Sequence, residues 1–188
     1  MTIVAIWCRH IGDNVIGAGD GLPWKIPSDT RRFRNLTEGQ IKVMGARTYL
    51  GMPQKVLFGR KVIVLDTSGK CEVFDNDNHI VCDDVKKLKD YPQDLYVSGG
   101  ATVYAAFFTT PQIMPDIVVD CVYGGEISQT AKELINVNAS VEVLEKKYFP
   151  LPQRFELDGV VTTVWLKKGD FVEQSVVKKI LQYLETEV

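Results

Sequence analysis

The sequence has little of the material from which metal sites and disulfide frameworks are built. Its four cysteines are scattered along 188 residues without a C-x-x-C pair, and its two histidines, His10 and His79, have no partners at metal-ligand spacing. A zinc site and a histidine-based catalytic triad therefore have no sequence support, and we expect no metal. Cysteines used so sparingly are typical of reduced thiols in a cytoplasmic protein.

Long apolar runs and a strong charge of either sign are also missing. No run approaches the ~18–20 consecutive apolar residues that cross a membrane, and the opening stretch MTIVAIWCRH contains no basic leader and no cleavage site. The 22 basic and 24 acidic residues nearly balance, which gives no general electrostatic grip on nucleic acid. We expect a cytoplasmic protein with neither a membrane nor a nucleic-acid partner.

Apolar runs and turn signals alternate at short intervals, and 45% apolar with 24% charged residues is ordinary for one folded domain. Strands are predicted at Ile3–Cys8, Ile41–Met44, Lys61–Leu65, His79–Cys82, Leu95–Val97 and Ile117–Val122. Helices are predicted from an N-cap at Ser28 to Leu36, at Ala46–Met52, at Asp84–Lys89, and from Gly99-Gly100 to about Phe108. A hairpin turn at Asp158-Gly159 joins two last strands, Phe155–Leu157 and Val160–Leu166. This order predicts a single α/β domain with a central twisted sheet, mixed but mostly parallel, and flanking helices.

Two segments extend this pattern. Ser128–Asn136 is predicted to form a short helix within a long connection. Val172–Val188 is predicted to form a terminal amphipathic helix, because its apolar residues recur at helical spacing. That apolar stripe consists of Val176, Val177, Ile180, Leu181 and Leu184. It has to be covered, either by the protein's own body or by a partner.

A glycine-rich loop, Ile11–Trp24, leads into the first predicted helix. It ends in Leu22-Pro23-Trp24, and Asp29 follows on the first turn of that helix. Phe33 lies four residues after Asp29, so the carboxylate and the aromatic ring share one helical face. The arrangement suits a binding site with one acid, although an acid at this position also stabilises a helix N-terminus by itself.

Two turns from strand to helix carry glycine. One contains Gly99-Gly100, and the other is Met44-Gly45-Ala46-Arg47-Thr48. Both suit phosphate groups, because glycine allows close approach to backbone N–H groups at a helix start. Arg60 precedes a strand and is able to bind a carboxylate with its fork of donors, the alternative being a solvated surface arginine.

In combination these motifs resemble the dihydrofolate reductase family. The resemblance rests on Leu22-Pro23-Trp24 with Asp29, Met44 to Thr48, Gly59-Arg60-Lys61, and Gly99-Gly100 with Val103-Tyr104, in the family's order over about residues 2 to 168. It implies a catalytic domain over residues 1–168 and a helical extension over 169–188. It also implies NADPH-dependent reduction of 7,8-dihydrofolate to tetrahydrofolate, with a hydride added at C6 and a proton at N5, in support of one-carbon and thymidylate metabolism.

On the substrate side, the resemblance implies Asp29, Trp24 and Leu22 as catalytic residues. Asp29 would orient the pterin and support its protonation, while Trp24 would anchor an ordered water and support residues 17–22 as a lid. The implied substrate contacts are Ile6, Asp29, Phe33, Met52, Arg60 and Tyr104, with Arg60 on the carboxylate of the glutamate tail. Among apolar neighbours Asp29 is expected to be the only charge, so that desolvation raises its pKa.

On the cofactor side, the resemblance implies contacts from three turns and the lid. The residues are Ile16, Gly17, Leu22, Gly45, Ala46, Arg47, Thr48, Leu65, Asp66, Thr67, Gly99, Gly100, Ala101, Thr102 and Val103. Arg47 and Thr48 would hold phosphates, including the 2′-phosphate. Asp66 stands where a Ser or Thr would receive that phosphate, and a carboxylate there favours an unphosphorylated ribose. The resemblance predicts NADPH, and Asp66 makes NADH the alternative.

Some alternatives stay open at this level. The family's threonine beside the acid corresponds to Asp120 or, with the strand register shifted by one, to Cys121. A non-catalytic folate- or nucleotide-binding protein of the same fold is one competing function. The pyrimidine reductase of riboflavin synthesis is another, although Leu22–Asp29 argues against it. We expect a monomer that binds a small-molecule substrate, with the C-terminal helix as a surface for self-association.

Overall fold

A computed structural model describes residues 1–19, 21–128 and 131–187, and Asp20, Gln129, Thr130 and Val188 lie outside the described residues. The strands are β1 (Ile3–His10), β2 (Val15–Ala18), β3 (Ile41–Gly45), β4 (Val62–Leu65), β5 (His79–Cys82), β6 (Leu95–Val97), β7 (Ile117–Tyr123), β8 (Leu134–Asn136), β9 (Tyr148–Leu157) and β10 (Val160–Lys167). The helices are α1 (Pro27–Leu36), α2 (Ala46–Gly51), α3 (Gln54–Leu57), α4 (Ala101–Thr109), α5 (Asn138–Lys147) and α6 (Gln174–Glu187), with short 3-10 helices at Val85–Asp90 and Pro111–Ile113.

Eight strands form one sheet in the order β5-β4-β3-β6-β1-β7-β10-β9. From β5 to β7 every neighbouring pair is parallel, whereas β10 runs antiparallel to both β7 and β9. The parallel strands are apolar almost throughout, as is usual when helices cover both faces of a sheet. The predicted mixed, mostly parallel α/β sheet is therefore confirmed, including the closing hairpin at Asp158-Gly159, where both residues have positive φ.

Two apolar clusters lie on opposite faces of this sheet. One contains the buried residues of α4 and α5, and the other contains Leu36 of α1 together with Val177, Ile180 and Leu184 of α6. The stripe of the predicted C-terminal helix is thus covered by the protein's own body. Within the described ranges, no helix combines the length and the apolar character needed to pass through a bilayer.

The first helix begins earlier than the sequence predicts. Ile26 is the N-cap residue, Pro27 is the first helical residue, and no side chain caps the helix. Ser28, the predicted N-cap, lies inside α1 with a buried hydroxyl oxygen that has no partner among the described residues. Proline explains the difference, because its fixed φ and missing N–H suit the first helical position.

The glycine-rich loop and the predicted helix at Ser128–Asn136 are both partly wrong. Val15–Ala18 of the loop forms β2, which pairs antiparallel with β8 inside the supposed helix. Gln129 and Thr130, which belong to that predicted helix, lie outside the described residues. A three-residue strand such as β8 is stabilised by pairing with a distant strand, and its own sequence contains too few residues to predict a strand.

Three elements were missed or shortened by sequence reasoning. Helices α3 and α5 were not predicted, and β9 begins at Tyr148, well before the predicted Phe155. Pro150 and Pro152 interrupt the strand pattern in β9. Proline is tolerated there because β9 is an edge strand, which has no neighbouring strand on its outer side that needs a backbone N–H donor.

Candidate active site

A cleft of about 970 Å³ opens at the carboxyl ends of the parallel strands, where α/β sheets commonly bind ligands. Most of the predicted site residues line it: Ile6, Ile16, Gly17, Leu22, Asp29, Phe33, Gly45, Ala46, Arg47, Thr48, Met52, Leu65, Asp66, Thr67, Gly99, Gly100, Ala101, Thr102, Val103 and Tyr104. Trp24 and Arg60 are the two predicted residues that do not. The fold therefore brings segments from all three sequence motifs to one cavity.

Asp29 enters the cleft from the first turn of α1. It is half-buried, and its carboxylate accepts a hydrogen bond from the thiol of Cys8 on β1. Desolvation raises the pKa of Asp29 above its usual value, and the Cys8 hydrogen bond opposes that rise without cancelling it. A carboxyl group with a raised pKa at the wall of a cleft is suited to hold and deliver a proton.

Asp29 is not the only charged group in its surroundings, contrary to the expectation from sequence. Arg32 lies three residues later on the same face of α1, lines the cleft, and is only 1% exposed. Its Nε donates a 2.7 Å hydrogen bond to Glu187 of α6, and its Nη2 is buried without a partner among the described residues. The Arg32 charge lowers the pKa of Asp29 but does not overcome desolvation.

The structure settles which residue of β7 stands beside the acid. Cys121 lines the cleft, whereas Asp120 points to the opposite face of the sheet. Asp120 accepts hydrogen bonds from Arg9 and from Trp7 Nε1, and it is 2% exposed. The alignment that placed Asp120 against Asp29 is therefore wrong, and the register shifted by one residue is correct.

The predicted lid residue and its neighbour differ in exposure. Leu22 is 56% exposed and contributes to the cleft wall. Trp24 is buried in the apolar cluster beneath, where its ring packs 5.4 Å from that of Tyr123 and its Nε1 has no partner among the described residues. Packing of the large indole against the core explains why Trp24 does not line the cleft as predicted.

Two predicted substrate contacts make internal bonds. Arg60 does not line the cavity, and its Nη1 pairs with the carboxylate of Glu38 at 2.8 Å. Tyr104 does line the cavity, but its hydroxyl donates to the backbone carbonyl of Ile6. Burial raises the pKa of Tyr104, so the phenol stays neutral and fixes α4 to β1.

One end of the cleft, where phosphate binding is predicted, is built from glycine turns. Gly99 and Gly100 are joined by a cis peptide bond and lead directly into α4. A Cβ atom at Gly100 would come within 3.2 Å of Thr48 Oγ1, and one at Gly45 within 3.1 Å of Val103 Cγ2. At both positions a Cβ would fit only if its neighbour moved by a few tenths of an ångström. The first backbone N–H groups of α4 have no partners within the helix, as at any helix start.

The outer end of the cleft is acidic. Asp66 accepts hydrogen bonds from the Ser68 hydroxyl and from the backbone N–H groups of Ser68, Lys70 and Cys71. These bonds hold its own turn in place and lower the pKa of Asp66, with the Ser68 hydroxyl contributing most. Asp83 and Asp84 also line this end, which sequence reasoning missed. Arg47 is the exposed cation of the predicted phosphate turn. Among the described residues, no group of three or more His, Cys, Asp or Glu side chains could hold a metal ion.

Sequence reasoning also missed Cys8 and Arg32 as parts of the site. Cys8 follows Ile6 by two residues on β1, so strand alternation places both on the face of Asp29. Arg32 follows Asp29 by three residues, which is neighbour spacing on a helix. The periodicity was sufficient to find both residues, but neither belongs to a motif that draws attention.

A mostly parallel sheet with helices on both faces, and a cleft at the carboxyl ends of its strands lined by glycine turns and a half-buried acid, places the chain among the α/β proteins that bind ligands at this edge. The family model described as dihydrofolate reductase matches residues 2–127. The chain belongs to the dihydrofolate reductase family.

Individual relatives agree with this placement. The dihydrofolate reductase of Enterococcus faecium is 32% identical over 160 residues, which cover 81% of this chain and 93% of the relative. That of Lactococcus lactis is 30% identical over 128 residues, covering 66% and 75%. A solved structure of the Enterococcus faecalis dihydrofolate reductase, complexed with NADP(H) and RAB-propyl, has a TM-score of 0.68 and 17% identity, and covers 89% of this chain and 96% of that chain.

Proposed function

We propose that this chain reduces 7,8-dihydrofolate to tetrahydrofolate with NADPH, adding a hydride at C6 and a proton at N5, in the service of one-carbon metabolism and thymidylate synthesis. The observation that carries the proposal is Asp29, an acid whose pKa desolvation raises inside a cleft that ends in glycine turns. Membership of the dihydrofolate reductase family and 32% identity over most of a curated relative support it.

The cofactor end of the cleft fits NADPH, which supplies the hydride when it is bound. Backbone N–H groups after Gly99 and Gly100 would hold the diphosphate. Glycine is needed at both positions because Tyr104 and Thr48 lie where a Cβ would point. Arg47 offers its guanidinium to a phosphate, including the 2′-phosphate. The carboxylate of Asp66 opposes that phosphate, which keeps NADH as the alternative cofactor.

The substrate end of the cleft orients the pterin and excludes water. Ile6, Phe33 and Met52 give it apolar walls, and Asp29 binds N–H groups of the pterin and keeps a proton available near N5. Leu22 closes the cleft as part of the lid, while Trp24 supports it from the core. Arg60 reaches the glutamate tail after exchanging Glu38 for the substrate's carboxylate. Rate comes mainly from holding the two reacting rings together in a dry site.

Turnover of purified protein tests the proposal. NADPH absorbance should fall when dihydrofolate is added, and Asp29→Asn should lower kcat by about 10²–10⁴-fold because the amide cannot give up a proton. Asp90→Asn, at an exposed acid, is the matched control and should keep full activity. Tight folate binding without turnover would make the chain a binding protein of this fold. Turnover of a riboflavin-pathway pyrimidine instead would assign it to the other reductase.

Cofactor choice is tested at the phosphate turn. Arg47→Ala should raise the KM for NADPH by about 10- to 150-fold, because a charge-assisted phosphate contact contributes about 1.5–3 kcal/mol. It should leave the KM for NADH unchanged. Lys55→Ala, an exposed cation on α3, is the control. An unaltered preference for NADPH in the Arg47 variant would remove Arg47 from the cofactor site.

We also propose that the chain works as a cytoplasmic monomer. The apolar stripe of α6 is buried against its own sheet, so the helix has no comparable face left for self-association. Its four cysteines are free thiols, as a reducing compartment requires.

A further inference from the structure

A buried ion pair connects the C-terminal helix to the cleft. Arg32 Nε and Glu187 Oε2 lie 2.7 Å apart, and the side chains are 1% and 8% exposed. The partners are 155 residues apart in sequence, so the pair exists only when α6 has docked on α1. Because an unpaired charge in such a place is strongly unfavourable, Arg32 keeps its position at the cleft wall through Glu187.

Glu187 is itself held at both carboxylate oxygens. Oε2 accepts from Arg32, and Oε1 accepts a 2.5 Å hydrogen bond from the Tyr183 hydroxyl. Asn35 Nδ2 of α1 donates to the same hydroxyl at 3.1 Å, which ties the two helices together a second time. A carboxylate with both oxygens bound and a helix anchored in the core has little freedom to move.

We propose that Glu187 is a positioning residue of the active site: by fixing Arg32 behind Asp29, it makes α6 a working part of the reductase. The inference rests on the proposed function, since Asp29 is its catalytic acid. Arg32 lines the cleft, and its Nη1 lies 4.0 Å from Cys121 Sγ, so its guanidinium is next to the β7 residue that lines the cleft beside Asp29.

The charge balance around Asp29 gives this arrangement a measurable sign. The titratable groups that face it are Cys8 of β1, Cys121 of β7, Tyr104 of α4, Arg32 of α1 and Glu187 of α6. Burial raises the pKa of both thiols and of the phenol, that of Cys121 to about 12, so these three are neutral near pH 7. Arg32 lowers the pKa of Asp29 and Glu187 raises it, with Arg32 the stronger of the two.

The test compares Glu187→Gln with Glu185→Gln, an exposed position on the same helix. The rate of hydride transfer in single turnover is followed against pH, and the ¹³C carboxyl resonance of Asp29 is titrated without substrate. Glu187→Gln should move both profiles to lower pH by about half a unit or more, because Arg32 is then uncompensated. Glu185→Gln should move neither.

A double variant, Arg32→Met with Glu187→Met, supplies the opposite sign. This variant removes both charges and leaves no uncompensated buried ion, so it should fold even if Glu187→Gln fails to fold. Because the stronger influence, that of Arg32, is then lost, the Asp29 titration should move to higher pH. Titrations that stay at the wild-type pH in the folded variants, with or without a lower Tm, would overturn the inference. If the wild type lacks turnover, the proposed function fails, while the carboxyl titration still decides the role of Glu187.

Discussion

Two acids lie on opposite faces of the β1–β7 pair, and their surroundings differ in kind. Asp120 has a guanidinium on both oxygens, from Arg9 at 2.8 and 2.9 Å, and a third bond from Trp7 Nε1 at 2.6 Å. Asp29 has one thiol and a cation that is itself bound to another acid. A fully paired carboxylate such as Asp120 stabilises the fold, whereas an incompletely paired one such as Asp29 keeps the capacity to exchange a proton.

A step of one residue separates these two environments. In the parallel register Trp7 is opposite Asp120 and Cys8 is opposite Cys121. Side chains alternate across a sheet, so the first pair faces α4 and the second pair faces α1 and the cleft. The same two strands therefore supply a structural ion pair on one face and the floor of the proposed catalytic site on the other.

Asp120→Asn is the most severe test of this comparison. It leaves the Arg9 guanidinium without its carboxylate, and we expect a loss of about 3–5 kcal/mol in the free energy of unfolding. Urea denaturation measures it, with Asp90→Asn as the exposed control. The kcat per folded molecule should match that of the wild type. A large fall in kcat at unchanged stability would instead assign Asp120 to the chemistry.

The cofactor end offers a second test, independent of both acids. Gly100→Ala places a Cβ about 3.2 Å from Thr48 Oγ1, where the turn is already filled. If this overpacking displaces the turn that receives NADPH, a penalty of about 1–3 kcal/mol predicts a KM for NADPH raised by about 5- to 150-fold, with the pH profile unaltered. Gly124→Ala has no heavy atom within 4 Å and should change nothing. Wild-type KM in the Gly100 variant would show that the turn has spare room.

Stability against pH gives the smallest and most specific contrast. Burial in the folded state raises the pKa of Asp29 above its ordinary value, so the native protein binds this proton more tightly than the unfolded chain does. The stability that Asp29 contributes is therefore fully present below the pKa of the unfolded chain, and it is lost as pH rises through the higher pKa of the folded state. Asp29→Asn should raise Tm at pH 7 by about 2–4 °C, whereas Asp120→Asn should lower it.

Calorimetric scans across the pH range check this expectation. The gain in Tm from Asp29→Asn should shrink toward zero at acid pH, where the wild-type carboxyl is protonated as well. A gain that persists unchanged at low pH would mean that the amide packs better for reasons unrelated to charge.

Local signals were sufficient to predict the glycine turns that line one end of the cleft. Gly45, Gly99 and Gly100 each sit between a strand and a helix, and that placement can be read from the neighbouring residues. The atoms that crowd a Cβ at Gly45 and at Gly100 come from the other turn, from Val103 and Thr48, and the sequence does not show them. Asp29 and Phe33 share a helical face that the spacing alone predicts. Features of this kind depend on a few consecutive residues, so one sequence contains the information.

Features that depend on distant partners were not predictable in the same way. The Arg32–Glu187 pair and the β2–β8 ribbon each join segments more than a hundred residues apart, and nothing in either segment names the other. The guanidinium of Arg60 is suited to bind a substrate carboxylate, but in the folded chain it pairs with the carboxylate of Glu38 instead. Which side chains are exposed, which residues pair, and which partner a charged group takes are all decided by the folded molecule.

The prolines of β9 have a consequence for how copies of this molecule meet one another. A strand at the rim of a sheet presents unpaired amide groups that can recruit a neighbouring chain. Pro150 and Pro152 remove two amide hydrogens from that rim, so an approaching strand finds an interrupted row of donors. The residues that obscure β9 in the sequence thus protect the finished sheet against edge-to-edge aggregation.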